Sequence, residues 1–200
     1  VCGLMSIALL WQGRWDEAIE IGEQGARVAD RSRSRQLLAM GRAIAGFGRW
    51  ARDRDPAGLR AVQESVDWIE TRGGHFMVSL LYGWLIEAAA ERGDEAAARR
   101  DAARLRLRAR DGDRIGEAMG CRALARLAHA HGHDAVALRW LERAEAAARV
   151  RQAPHEEAHN LRCRALISAT EDANELLAAA ARLFDALGLR AFGAGATAAP

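Results

Sequence analysis

Two short stretches of this chain hold residue types that could do chemistry, and a third holds a concentrated positive charge. The first is HEEAH, His155 to His159. In the pattern H-E-x-x-H, two histidines one helical turn apart can bind zinc while the first glutamate acts as a base. Glu175 is conceivable as a third ligand. Pro154 directly before His155 puts the motif in the first turn of a helix, however, and the sequence favours a solvated turn there. Glu156 and Glu157 then lie near the positive helix end. The second stretch is HAHGHD, with His129, His131, His133 and Asp134. Three imidazoles around a turn can gather on a metal, but alternate residues of a helix do not share a face, so a polar turn is the preferred reading. The third is RRDAARLRLRAR, Arg99 to Arg110. Arginine neutralises phosphate, yet Arg99, Arg100, Arg104, Arg106, Arg108 and Arg110 spread around a helix with no aromatic residue among them. A solvated face, or a contact between domains or subunits, is preferred over nucleic acid.

No catalytic set, cofactor set or metal set is therefore assigned. The chain has 200 residues, a formal net charge of +2 and no lysine. The absence of lysine excludes a Schiff base, a phosphate-loop lysine and a lysine general base. GRAIAGFG from Gly41 has glycines but neither the lysine nor the hydroxyl of a phosphate loop, and it reads as helix. Cys2, Cys121 and Cys163 are odd in number and widely spaced, which points to three buried thiols in a reducing cytoplasm and not to a disulfide frame or zinc ribbon. The longest apolar run, FMVSLLYGWLI at residues 76–86, is far short of the ~20 residues of a membrane span. No signal-peptide pattern is read at the start, and the chain opens on Val1 inside an expected helix, so a segment of a longer cytoplasmic protein is expected.

The elements that position these residues follow from composition and period. Ala, Leu, Arg and Glu dominate, and β-branched residues do not alternate, so the expected class is all-α. Asp16, Asp55, Asp94, Asp134 and Asp172 recur at intervals of 39, 39, 40 and 38 residues. A period between 20 and 50 residues marks a solenoid. Each of these aspartates is expected to cap a helix, with Pro56 at the first helical position after Asp55 and with Gly13, Gly93 and Gly132 ending the helices before the turns. The reading is five helix pairs within residues 1–190, in units of about 1–30, 35–71, 75–110, 115–151 and 155–187, with a flexible tail at 191–200. The first helices fall near 1–12, 35–51, 75–91, 115–131 and 155–169. The second helices fall near 16–30, 56–71, 94–109, 134–151 and 172–187. Single helices of this length are marginal in water, so the pairs must stack to bury their apolar stripes. Gly22 and Gly25 inside one helix ask for close packing. Trp11, Trp50, Trp84 and Tyr82 lie on first helices and are candidate anchors for a partner, with core filling as the favoured alternative.

The segment GRWDEAIEIGEQGARVA resembles the second half of a tetratricopeptide repeat through Gly13, Trp15, Ala18, Gly22 and Gly25, although the period near 39 exceeds the usual ~34. AARLFDALGLRAF, residues 180–192, resembles the helix that closes the repeat region of LuxR/MalT-type bacterial ATPase regulators. That resemblance implies a right-handed superhelix acting as a binding and signal-relay segment. A small inducer or protein partner would bind the concave face. An ATP-using module would lie upstream and a helix-turn-helix DNA-binding module downstream. It implies no catalytic residue in this segment, no direct contact with nucleic acid or membrane, and leaves a homodimer possible. A stand-alone or cyclase-linked adaptor, a zinc hydrolase through His155 and His159, and nucleic-acid binding through the arginine-rich helix are the alternatives.

Overall fold

The computed structural model describes residues 2–168 and 172–189, so the tail expected at 191–200 lies outside the described residues. Among the described residues the chain forms ten helices and no strand. They are α1 (Cys2–Trp11), α2 (Trp15–Arg31), α3 (Arg35–Asp53), α4 (Pro56–Glu70), α5 (Val78–Glu91), α6 (Glu95–Arg110), α7 (Glu117–Ala130), α8 (Asp134–Val150), α9 (Pro154–Ser168) and α10 (Ala173–Ala186). These are the helices that the period predicts, with ends shifted by a few residues. None is long and apolar enough to cross a membrane. Two compact units divide the chain, Val1–Leu81 and Tyr82–Pro200, with the boundary inside α5.

Helix closure is the most regular feature. Left-handed residues stand at Gly13, Arg33, Arg54, Gly73, Gly93, Gly112, Gly132 and Gln152, spaced by 19 to 21 residues. After most of them the next N–H reaches back to the carbonyl five residues earlier: Arg14 to Leu9 at 3.0 Å, Ser34 to Ala29 at 2.8 Å, Asp94 to Ala89 at 2.9 Å, His133 to Ala128 at 2.9 Å. This is the Schellman closure, which satisfies carbonyls that a helix end leaves bare. Arg54 closes α3 by the simpler form, its own N–H donating to the Trp50 carbonyl at 2.8 Å. Sequence reasoning found the glycine closures at Gly13, Gly93 and Gly132, and missed Arg33, Arg54 and Gln152 because these side chains only infrequently adopt that conformation.

The aspartate caps need correction. Asp55 accepts from the Ala57 N–H at 2.8 Å and Asp94 from the Ala97 N–H at 3.0 Å, as expected. Asp16 and Asp134 instead sit inside the first turn, because α2 begins at Trp15 and α8 at Asp134 itself. There they meet other side chains: Arg52 reaches Asp16, and His129 Nδ1 lies 2.7 Å from an Asp134 oxygen. Asp172 holds the cap position of α10 without a side-chain cap bond.

In the first unit, α2 packs on α3 and α3 on α4. Gly22 of α2 lies against Ala45 and Gly41 of α3, so it has the packing reason that a helical glycine needs, while Gly25 is only half-buried. The α3–α4 crossing is closer still. A Cβ built on Gly46 would stand 2.5 Å from the Gly58 carbonyl oxygen, so both positions exclude any side chain. In the second unit α7 packs on α8, α8 on α9 and α9 on α10. One apolar cluster joins Cys121, Ala125, Ala137, Leu141, Ala144, Cys163 and Ile167. Another joins Ala158, Ala180, Phe184 and Leu189. Cys121 and Cys163 are buried as expected; burial pushes the Cys121 thiol up to about 12, and raises Cys163 too, so both act as small hydrophobes. The Cys2 side chain lies outside what the structure describes.

Candidate functional site

The HEEAH turn is only partly solvated. Glu156 is buried, and Arg122 of α7 donates to its Oε2 at 2.7 Å. The same Arg122 nitrogen donates to Asn160 Oδ1 at 3.0 Å, one turn further along α9. Arg122 and Asn160 are themselves buried, so a buried polar set bridges two helices inside the second unit. His155 Nε2 lies 3.8 Å from the other Glu156 oxygen. The His159 ring stands edge-on to Phe184 of α10, with centroids 4.9 Å apart. Burial, then the charges of Arg122, Arg162, His155 and Arg126, hold His159 well below its ordinary pKa, and burial also lowers His155. The zinc chemistry asks Glu156 to act as a base, but here that carboxylate is held by a guanidinium. Glu175 is exposed on the first turn of α10, and among the described residues no three His, Cys, Asp or Glu side chains gather as a metal set.

Further ion pairs tie neighbouring helices together. Arg126 donates to Glu87 at 2.6 Å, and Arg164 grips Glu145 through two bonds of 2.7 and 2.9 Å. Arg151 donates to the Ile115 carbonyl at 2.8 Å. The arginine-rich helix α6 is partly neutralised along its own length by Arg99–Glu95, Arg100–Asp101 and Arg108–Asp111 pairs. In the histidine turn, His129 is paired with Asp134, and the rings of His131 and His133 meet edge to face at 6.5 Å.

The aromatic anchors proposed from the sequence lie mostly inside. Trp50, Tyr82 and Trp84 are buried, and Trp11 is half-buried. The aromatic that does line an open space is Trp140 of α8, with Arg143 stacked over its ring at 5.0 Å. It lines a groove of about 480 Å³ formed by α6, α7 and α8. Ala102, Leu124, Leu127, Ala128 and Val136 make its apolar lining, and Glu95, Arg99, Arg106 and His133 make its polar lining. Trp140 was missed because attention to the first helices of each pair passes over the second helices, where it lies. The signal available was a lone tryptophan amid alanine and charged residues in ALRWLERA. No protein-family model, curated protein or solved structure matches this chain.

Proposed function

We propose that this chain is a non-catalytic binding and relay segment built from helix pairs. In this reading the five pairs continue as a right-handed, tetratricopeptide-like superhelix, of the kind that links the ATPase and the DNA-binding module in LuxR/MalT-type regulators. The observation that carries the proposal is the α6–α8 groove. Its volume of about 480 Å³ lies in the range of small-molecule sites, with an apolar lining and a few convergent polar groups. With Arg99 and Glu95 paired to each other, the remaining Arg106 guanidinium favours an apolar ligand that carries an anionic group. Because three successive helices line the groove, a ligand there acts on both the α6–α7 and the α7–α8 contacts. Differential affinity for two arrangements of these helices is what would let binding bias a neighbouring module.

Two experiments test the reading. Calorimetric titration with decanoate and with decanol separates charge from apolar burial: decanoate binds more tightly, and Arg106→Glu removes the difference. Equal binding of both probes, or none by either, refutes the groove assignment. The coding sequence beyond Pro200 tests the wider role. A helix-turn-helix there supports the regulator, and a different module favours the adaptor.

A further inference from the structure

The arginines of α7, α8 and α9 that are not exposed follow a rule, and one of them breaks it. Arg122 is matched by Glu156, Arg126 by Glu87 and Arg164 by Glu145, each across a contact between helices. Arg162 of α9 is half-buried as well, yet among the described residues it forms no hydrogen bond and no ion pair. Its place is fixed by its neighbour in the chain. Cys163 Sγ lies 4.0 Å from the Arg122 carbonyl oxygen, so this part of α9 runs against α7. Burial, then the charges of Arg122 and Arg126, hold the Arg162 guanidinium below the ordinary arginine range. Because Arg122 and Arg126 are each matched one to one, Arg162 leaves one positive charge in excess. A guanidinium taken partly out of water beside two others costs stability, and nothing among the described residues offsets that cost. One turn further along the same face of α9 stands Leu166, 58% exposed.

We infer that Arg162 anchors a carboxylate-binding site where α9 runs against α7, and that its ligand is a monoanion with an aliphatic group beside the carboxylate. The single excess charge sets the charge of the ligand: a phosphate dianion brings a second charge with no second unmatched cation to meet it. A guanidinium presents paired N–H donors that fit the two oxygens of a carboxylate. Leu166 supplies apolar surface for the aliphatic group. A peptide end and a free short-chain acid share this chemistry. The site belongs to the Arg122–Arg126 face of α7, whereas Leu124, Leu127 and Ala128 turn to the α6–α8 groove, so the inference is independent of that groove.

Titration of the whole chain with N-acetylleucine, followed by nitrogen-15 NMR at the arginine side-chain N–H groups, tests it. The Arg162 Nε–H signal is expected to shift saturably, with a dissociation constant on the order of a millimolar. N-acetylleucine amide, which lacks the charge, leaves that signal in place, and Arg162→Gln weakens binding by about tenfold or more. Isocaproate carries the same two groups without the peptide amide. Equal affinity for both assigns the site to a free acid, and tighter binding of N-acetylleucine assigns it to a peptide end. Arg162→Met should leave the urea midpoint unchanged or raise it, since it removes an unmatched and partly dehydrated charge while keeping the apolar stem. A lowered midpoint marks Arg162 as a structural cation and overturns the proposal. So does an Arg162 signal unmoved at about 20 mM N-acetylleucine, well above the expected constant, or inorganic phosphate bound more tightly than the carboxylate.

Discussion

Removal of Glu156 alone and removal of the Arg122–Glu156 pair together should have opposite consequences. Both side chains are buried, and the guanidinium has Glu156 and Asn160 as its partners. Charge centres about 4 Å apart attract by roughly 4 kcal/mol at an effective dielectric near 20, and most of this is offset by the cost of taking two ions out of water. Glu156→Leu removes the attraction but leaves the dehydrated guanidinium, with only an amide oxygen to receive its protons. The expected loss is about 3–5 kcal/mol, the range for breaking one side of a buried pair. Arg122→Met combined with Glu156→Leu removes both ions and keeps the volume apolar, so its stability should fall within about 1 kcal/mol of wild type. Urea unfolding followed by circular dichroism reads this directly. With a slope of about 1–3 kcal/mol per molar, the single variant lowers the midpoint by at least roughly 1 M, and the double variant restores most of it. Additive effects, or a single-variant loss under about 1 kcal/mol, would refute the reasoning that the pair is a coupled, buried unit.

Three further outcomes follow from the packing. Gly58→Ala should destabilise the first unit by about 1–3 kcal/mol, because the new methyl meets the Gly46 carbonyl oxygen and the helices must part; thermal unfolding measures it. Asp94→Ala should cost about 1 kcal/mol through loss of its bond to the Ala97 N–H, while Asp172→Ala, which loses no such bond, should cost a few tenths. Stability should also fall as pH drops below the ordinary histidine range. Above it, His155 and His159 are neutral whether folded or unfolded; below it the unfolded chain takes protons that the lowered folded-state pKa values refuse. Each such proton contributes a slope of up to ~1.4 kcal/mol per pH unit. His159→Leu should flatten the dependence seen in unfolding curves between pH 7 and pH 5, and a slope unchanged by that variant would contradict it.

Much of the helical frame was legible because its signals are local. The aspartate period, the turn glycines and Pro56 fix helix ends by chemistry within a few residues. What was not legible depends on partners distant in the chain. Glu156 in HEEAH looks like an acidic first turn until Arg122, thirty-four residues earlier, covers it. An arginine destined for the interior looks the same in sequence as a surface one. A hint existed in matched spacing: Arg122 and Arg126 lie one turn apart in an apolar helix, as do Glu156 and Asn160. The aspartates show the same limit at shorter range. Their recurrence marks the turns correctly, but a shift of one or two residues in the helix start moves a carboxylate from cap to first turn, and Arg52 or His129 then decides its partner. The groove was invisible for a related reason, since its lining comes from three helices and its aromatic from the one least expected to face open space.

The central claim is that the α6–α8 groove is the binding site of this helical segment. Its most direct test is a nitrogen-15 NMR titration of the whole chain with decanoate, read at the Trp140 indole N–H. The account predicts saturable shifts at Trp140 and at Leu124, Leu127 and Val136, abolished by Val136→Glu. Shifts that gather elsewhere on the chain, or that survive Val136→Glu unchanged, would contradict it.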